Sequence, residues 1–161
     1  PLSMTVDCEI LNADGGTRCA SITAGSIALR LAIRRLIASG RCLPAKLRPT
    51  EQQRKEGWKP PVLSKEEAHG HEMAVMPCDV AALSVGMVDG EVKVDLDYVL
   101  DSNADVDMNV VMTSAGAFVE VQGTGEEATY TREELDSLID NAVAGIKRLH
   151  EHQVRVLEGV N

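Results

Sequence analysis

Aromatic residues are almost absent from this 161-residue sequence: they make up 2% of it, with one Trp, two Tyr and one Phe. The hydrophobic share is nevertheless 44%, so the chain can bury a substantial core, of the size of one domain, built mainly from Val, Ile, Leu, Ala and Met. The sequence therefore offers little for stacking nucleic-acid bases on aromatic side chains.

Long apolar runs and closely paired cysteines are missing too. No stretch approaches the roughly 18 apolar residues that a membrane-spanning helix needs. Cys8, Cys19, Cys42 and Cys78 form no C-x-x-C pair, and no secretory signal is recognisable. We therefore expect a soluble, cytoplasmic protein with reduced thiols and no membrane partner.

Positive charge is scarce overall but concentrated in one place. The formal net charge is -9 and the isoelectric point is near 4.9, which argues against a nucleic-acid surface extending over the whole protein. Between Arg41 and Lys65, seven basic residues face two acidic ones, a local net charge of +5 that leaves -14 for the rest.

Hydrophobic periodicity predicts an α+β fold. Residues 5–12 alternate apolar and polar side chains, as a half-buried strand does. Apolar residues then recur at helical spacing from about 17 to 39, and Gly40 is expected to end that helix. Residues from about 41 to 78 hold five of the six prolines without sustained periodicity, and we predict an irregular, basic insertion within a single domain of residues 1–161.

The second half of the chain predicts two hairpins and a long helix. Asp89-Gly90 is a dipeptide favoured in tight hairpin turns, and residues 114–116 separate a second pair of apolar runs. Thr131 and Glu134 form a capping box before a helical apolar stripe that extends towards Leu157. The resulting fold class is an antiparallel or mixed sheet packed on helices.

The stretch NADGGTRCAS, residues 12–21, lies between the first predicted strand and the first predicted helix. Glycines let the backbone present its N–H groups, the helix dipole favours an anion there, and Thr17 and Arg18 add a hydroxyl and a guanidinium suited to phosphate oxygens. A phosphate-binding turn is therefore one interpretation. The alternative is a turn that is glycine-rich for backbone reasons alone.

The stretch DSNADVDMN, residues 101–109, places three carboxylates within seven positions. In an extended strand, Asp101 and Asp107 would lie about 20 Å apart, but Ser102-Asn103-Ala104-Asp105 is suited to a turn that brings them together. Two converging carboxylates can bind a divalent cation or exchange protons, with Asp105 the bystander. A solvated acidic turn is the alternative.

Three blocks, ADGGTRCASITAGSIAL, DLDYVLDSNADVDMNVVMT and FVEVQGTGEEATYTREEL, resemble, in this order, those of the bacterial ribonuclease PH family. The resemblance implies a ribonuclease PH-like (ribosomal protein S5 domain 2-like) fold, incomplete at its N-terminus. It also implies a phosphate-dependent 3′-to-5′ exoribonuclease that trims tRNA precursors, or other RNA 3′ ends, and releases nucleoside diphosphates.

By the same resemblance, Gly16, Thr17 and Arg18 bind inorganic phosphate, the co-substrate. Asp101 and Asp107 are the catalytic and Mg²⁺-associated carboxylates, and either of them is a candidate proton donor to the departing 3′ oxygen. The resemblance further implies a homo-oligomer, a hexameric ring.

Members of that family carry a further N-terminal part, so the chain is interpreted as their C-terminal portion. It would then be a cleavage product, a split subunit paired with another chain, or an engineered fragment, and its activity would depend on the other part. Two neighbouring functions stay open: a non-catalytic RNA-binding or scaffold subunit of an exosome-type ring, and a polynucleotide phosphorylase core domain.

The basic insertion gives a separate hypothesis. An acidic protein that acts on RNA needs a local positive surface to attract a polyanion. We expect the insertion to add phosphate contacts for the RNA body, through Lys46, Arg48, Arg54, Lys55 and Lys59. A disordered or subunit-packing loop is the alternative.

Overall fold

The structure, a computed structural model, describes residues 3–126 and 128–160, and these residues include a four-stranded antiparallel sheet. Of the predicted extent 1–161, residues 1, 2, 127 and 161 lie outside this description. The strands are β1 (Val80–Val88), β2 (Glu91–Val94), β3 (Val106–Thr113) and β4 (Phe118–Gly125), in the spatial order β2-β1-β3-β4. Both predicted hairpins are confirmed, the first with positive φ at Asp89 and Gly90, as its tight turn requires.

The described residues form five α-helices, α1 (Thr17–Ala38), α2 (Glu51–Lys55), α3 (Lys65–Val75), α4 (Tyr98–Asp101) and α5 (Arg132–Gly159), and a 3₁₀ turn at Ala45–Leu47. The predicted first and last helices are confirmed. Gly40 follows α1 with a φ of +70°, and Thr131 and Glu134 form the predicted capping box of α5. Within the described ranges, no helix combines the length and apolarity needed to cross a membrane.

The chain divides into two compact units, which we call the sheet unit and the helical unit. The sheet unit comprises Asp7–Ile27 and the chain from Cys78 onwards, and the helical unit comprises Ala28–Pro77 with the described residues up to Val6. Helix α1 is continuous through the point of division, and so it contributes residues to both units.

Helix α5 covers one face of the sheet. The buried side chains on this face alternate along the two central strands and meet the apolar stripe of the helix. They are Ala81, Leu83, Val85 and Met87 from β1, Val106, Met108, Val110 and Met112 from β3, and Leu138, Ala142 and Ile146 from α5. Because the side chains between them point to the other face, Asp107, Asn109 and Val111 share that opposite face.

The opposite face carries the first turns of α1. Cys19 packs there against Ala82 and Val111, with Ile22 beside them. Residues 81–88 of β1 are buried throughout, as expected of a strand with helices on both faces. The face that bears Asp107 is therefore also the face that receives the start of α1.

The predicted strand at residues 5–12 is wrong. The structure assigns no strand there, and Val6 and Ile10 stay exposed. Alternation indicates which side chains could share a face, but a strand also needs a neighbour for its backbone hydrogen bonds. Among the described residues, no strand is paired with this segment.

The prediction of an irregular segment at about 41–78 is wrong in part, because α2, α3 and the 3₁₀ turn lie within it. Both helices begin with a capping box, Thr50 with Gln53 and Ser64 with Glu67. Periodicity missed α3 because the residue that this helix buries is Glu72, which is not apolar.

A buried ionic cluster joins α1 and α3 within the helical unit. Arg30 is 3% exposed and donates to Glu72 at 2.9 Å and to the Met76 carbonyl at 3.0 Å. Arg34 donates to both carboxylate oxygens of Glu72 at 3.0 Å. Glu72 thus compensates a guanidinium that is almost fully removed from water, so losing Glu72 alone would leave a buried charge behind.

We expect Glu72→Ala to lower the free energy of opening of α3 by about 3 kcal/mol, because breaking a buried pair from one side leaves the partner charge uncompensated. Hydrogen exchange of the α3 amides measures this opening. Glu66→Ala, at an exposed position of the same helix, is the matched control and should change it little. Equal protection in both variants would contradict the role given to Glu72.

Candidate functional site

The glycine turn is constrained by its surroundings as well as by its backbone. Gly15 and Gly16 have φ values of +71° and +53°, where side chains are strained. A Cβ on Gly15 would clash with the carbonyl oxygen of Leu96, and one on Gly16 would lie 3.2 Å from the Ser84 hydroxyl. A backbone reason for the glycines is therefore shown, while phosphate binding at this turn stays a prediction.

The same turn is tied to the helix that carries Asp101. The Asp14 carboxylate accepts a hydrogen bond from the Tyr98 N–H at 3.2 Å. The neighbouring Asp97 carboxylate caps α4 by accepting from Leu100 N–H at 2.8 Å. Because Asp101 is the last residue of this one-turn helix, its position follows from that of the glycine turn.

Arg18 lies at the beginning of α1 and forms an ion pair with Glu120 of β4. Its Nη2 donates to the two carboxylate oxygens at 2.9 and 2.7 Å. The hydrogen bond and the charge of Glu120 raise the pKa of Arg18. Both side chains are substantially exposed, so the pair can exchange Glu120 for another anion.

Cys19 fixes the start of α1 against β3. Its thiol lies 2.8 Å from the Asn109 side-chain oxygen, and Asn109 shares a strand face with Asp107, two positions away. Burial raises the pKa of the thiol to about 11, although the charge of Arg18 acts in the opposite direction. Cys19 is therefore a protonated packing residue, and the contact brings the turn close to Asp107.

Asp107 lies on β3 between Gly86 of β1 and Thr124 of β4. Its Oδ1 is buried and has no hydrogen-bond partner among the described residues. Burial is the main cause that raises the pKa of Asp107, and the charges of Asp101 and Glu126 add to it. A carboxylate oxygen that is removed from water without a partner is costly to the folded state.

The turn predicted between the two aspartates is confirmed. After α4 the chain reverses through hydrogen bonds from Asn103 N–H to Leu100 O and from Ala104 N–H to Asp101 O. The Asp105 N–H then bonds to the Met87 carbonyl, and β3 begins. Asp101 is consequently near enough to Asp107 for its charge to raise the pKa of Asp107, which an extended segment would not allow.

All five predicted site residues belong to the sheet unit. A cavity of about 460 Å³ near the turn is lined by Gly16, Cys19, Asp95 and Leu96, among others, but not by Thr17, Arg18, Asp101 or Asp107. The arrangement of Arg18 and the two aspartates, rather than this cavity, is therefore the candidate functional site.

Two acidic residues of this site were missed by sequence reasoning. Glu120 pairs with Arg18, and the charge of Glu126 acts on Asp107. The strand pairing places Glu120 opposite Val111 and Thr124 opposite Asp107. Knowledge of this register would have identified Glu120, but the register cannot be read from β4 alone.

Asp101 and Asp107 fit a Mg²⁺ ion chemically. Asp107 offers a buried oxygen without a partner, and hard carboxylate oxygens are what Mg²⁺ prefers. In the part of the chain that the structure describes, no group of three or more His, Cys, Asp or Glu residues could hold a metal. The protein would thus supply two carboxylates, a number typical of Mg²⁺ sites completed by water and phosphate.

Comparisons with known proteins agree with this architecture. Residues 79–145 match the model of the 3′ exoribonuclease family, domain 2. The chain is 42% identical over 155 residues to ribonuclease PH of Saccharopolyspora erythraea, covering 96% of this chain and 51% of that protein. It is 46% identical over 151 residues to ribonuclease PH of Rhodopirellula baltica, covering 94% and 52%.

A solved structure supports the fold. The crystal structure of rice (Oryza sativa) Rrp46 superposes with a TM-score of 0.58 at 16% identity, covering 92% of this chain and 51% of that one. The predicted α+β, ribonuclease PH-like fold is confirmed by this likeness and by the family match. The chain spans about half the length of the curated relatives it matches, and within that span it is similar to ribonuclease PH and matches the 3′ exoribonuclease family, domain 2.

Proposed function

We propose that the chain carries the phosphate-binding turn and the catalytic carboxylates of a phosphorolytic 3′-to-5′ exoribonuclease that trims the 3′ ends of tRNA precursors and releases nucleoside diphosphates. The observation that carries the proposal is the convergence of the start of α1 with β3 and β4. Arg18 reaches Glu120, and Cys19 reaches Asn109 beside Asp107. A cation for phosphate and a carboxylate with an unpartnered oxygen thus share one face of the sheet.

Each proposed role follows from the chemistry of the residue. Phosphorolysis forms a bond from a phosphate oxygen to the phosphorus of the terminal phosphodiester and breaks the bond from that phosphorus to the 3′ oxygen. Arg18, the Thr17 hydroxyl and the Gly16 turn would hold the attacking phosphate and offset its charge. Asp107, with its raised pKa, suits proton donation to the departing 3′ oxygen, and Asp101 is its alternative.

Asp101 and Asp107 would also hold Mg²⁺, which when bound stabilises negative charge on the transferring phosphoryl group. A carboxylate that binds the ion must be deprotonated, so the two roles of Asp107 compete. Both requirements are met if one aspartate binds Mg²⁺ in its deprotonated form and the other donates the proton.

The rival function is a non-catalytic ring subunit that keeps the fold and binds RNA or neighbouring subunits. The buried Oδ1 of Asp107 favours the enzyme. In a non-catalytic subunit, a strand carboxylate that is desolvated and repelled by two other carboxylates would only destabilise the fold. Catalytic sites, in contrast, commonly use groups with such perturbed pKa values. The same family relationship supports assembly into a ring, with a homo-hexamer as the expected form and the cytoplasm as its location.

Phosphate dependence is the direct test of the proposed activity. Supplied with the remaining half of a curated relative, the chain should release nucleoside diphosphates from RNA with a 3′ tail only when inorganic phosphate is present. Arg18→Gln should raise KM for phosphate at least about tenfold, since it removes a charge-assisted bidentate contact. Release of monophosphates without phosphate, at an equal rate, would sink the proposal.

Asp107→Asn should abolish turnover and at the same time stabilise the chain, by about 1 kcal/mol near neutral pH, because it removes a partly buried charge. The pKa of Asp107 is raised in the folded state, so its ionisation costs stability as pH rises through that pKa. The stabilisation by Asp107→Asn should therefore be complete at neutral pH and should vanish at pH values below the ordinary pKa of an aspartate.

Thermal unfolding measures this gain, which corresponds to a rise in Tm of about 2–4 °C. Asp140→Asn, at an exposed position of α5, is the matched control and should shift Tm little at either pH. A lower Tm for Asp107→Asn near neutral pH would show that the carboxylate stabilises the fold, contrary to the argument.

Glu120 forms an ion pair with the Arg18 guanidinium, which is the proposed phosphate ligand. Because Glu120 would compete with phosphate, Glu120→Gln should lower KM for phosphate. The decrease should be about two- to fivefold, since exposed ion pairs are of modest strength. Steady-state kinetics against phosphate concentration measures it. Glu158→Gln, which removes an exposed charge from the end of α5, should leave KM unchanged. A higher KM in Glu120→Gln would instead mean that Glu120 positions Arg18 for phosphate.

A further inference from the structure

The helical unit contains a cavity of about 500 Å³ that the proposed reaction does not use. We call it the arginine cavity, because Arg41, Arg48 and Arg54 line it, together with Trp58 and other residues. Its volume is in the range of small-ligand sites. No acidic side chain is among the lining residues.

The three arginines reach this cavity from separately fixed backbone positions. Arg41 follows the end of α1, where its N–H bonds to the Leu36 carbonyl. Arg48 ends the 3₁₀ turn, and its Nε donates to the Leu43 carbonyl at 3.0 Å. Arg54 lies on α2, whose start is closed by a capping box. Their convergence is therefore a property of the fold rather than of one flexible loop.

The positive charge in the arginine cavity is not balanced locally. Glu51 pairs with Lys55, and Glu56 accepts from Gln52. Across residues 3–126 and 128–160, none of the three arginines forms an ion pair. Like charges that face one space repel each other, and an anion in that space would relieve the repulsion.

Trp58, the single tryptophan of the chain, adds a flat apolar ring to this charged lining. It is partly buried and held just beyond α2, where Gly57 has a φ of +80° and the Trp58 N–H bonds to the Gln53 carbonyl. Guanidinium groups bind phosphate and an indole stacks on a base, so this combination recognises a nucleotide better than a simple anion.

We infer that the arginine cavity binds a ribonucleotide unit of single-stranded RNA, with the phosphates on Arg41, Arg48 and Arg54 and the base against Trp58. The inference rests on the proposed function in taking RNA, rather than free nucleotide, as the source of that unit. It gives a structural site to the positive charge of residues 41–65, and it assigns Lys46, Lys55 and Lys59 no direct contact.

Trp58 fluorescence tests the inference on the chain as it is. Oligouridylate should quench the emission saturably. The variant R41Q/R48Q/R54Q should weaken binding at least about tenfold and reduce the slope of log affinity against log salt by about 2, as expected for three lost phosphate contacts on a single strand. W58F should keep the affinity for RNA and W58A should lower it about tenfold, both measured with labelled RNA because neither variant contains tryptophan.

A matched charge control separates a built site from diffuse attraction. K46Q/K59Q/K65Q removes three positive charges from the same segment, outside the lining of the cavity, and should retain most of the affinity. An equal loss in both triple variants would overturn the inference. Since Arg48 also bonds to Leu43, R41Q/R54Q, checked for helix content by circular dichroism, provides a second variant with that bond intact and should also weaken binding.

Three competitors identify the ligand. Uridine monophosphate should compete weakly with RNA, which has further phosphates to contribute. Inorganic phosphate that quenches Trp58 as strongly as the nucleotide would exclude a base contact and overturn the inference. Polyglutamate that displaces RNA at equal charge concentration would assign the cavity to an acidic protein, with the same consequence.

These experiments distinguish failure of the proposed RNA-binding site from failure of the proposed reaction. RNA that binds in the arginine cavity of a chain without phosphate-dependent trimming would refute the proposed reaction and leave the cavity assignment standing. Trimming that proceeds while R41Q/R48Q/R54Q binds RNA as tightly as the unaltered chain would refute the cavity assignment alone.

Discussion

The candidate site depends on one close approach of two backbone segments, the turn at Gly15 and the chain at Leu96. No side chain fits between them, since a Cβ on Gly15 would clash with the Leu96 carbonyl. This approach sets the start of α1 beside the segment that leads into α4, and the Asp14 carboxylate secures it by accepting from Tyr98. The proposed phosphate turn and Asp101, separated by more than eighty positions in sequence, thereby become neighbours through a sterically defined contact rather than through flexible side chains.

The sheet unit brings a positive side chain and two negative side chains close together. The proposed phosphate site needs an available cation, and Arg18 is partly exposed, with Glu120 as its ion-pair partner. The proposed site also needs two neighbouring carboxylates, and burial together with the charge of Asp101 raises the pKa of Asp107 and disfavours its ionised form. The cation and the carboxylates converge on one sheet face, because Cys19 and Asn109 are in contact and Asp107 follows the same alternation as Asn109.

Much of this could be predicted from sequence because it is local. Hairpin turns, capping boxes, the end of α1 at Gly40 and the turn after Asp101 each depend on a few adjacent residues. What could not be predicted depends on distant pairing. The alternation at 5–12 was present without a partner strand, Glu120 required the register of β4, and α3 is held by the burial of Glu72 against Arg30 rather than by an apolar face. Hydrophobic periodicity contains no signal for a helix that packs through an ion pair.

The free-energy cost of burying the Asp107 carboxylate explains why this residue lies on a central strand. Its strand, β3, is central in the sheet, bonded to β1 on one side and to β4 on the other, and it is packed by α5 on one face and by the start of α1 on the other. A loop could move the buried Oδ1 of Asp107, which has no partner among the described residues, into water, whereas a strand fixed by two ladders and two helices cannot. An unfavourable group can be kept in place only where its surroundings over-determine its position. The rigidity of β3 is thus a requirement of the site, and the buried core that supplies this rigidity is part of the proposed chemistry.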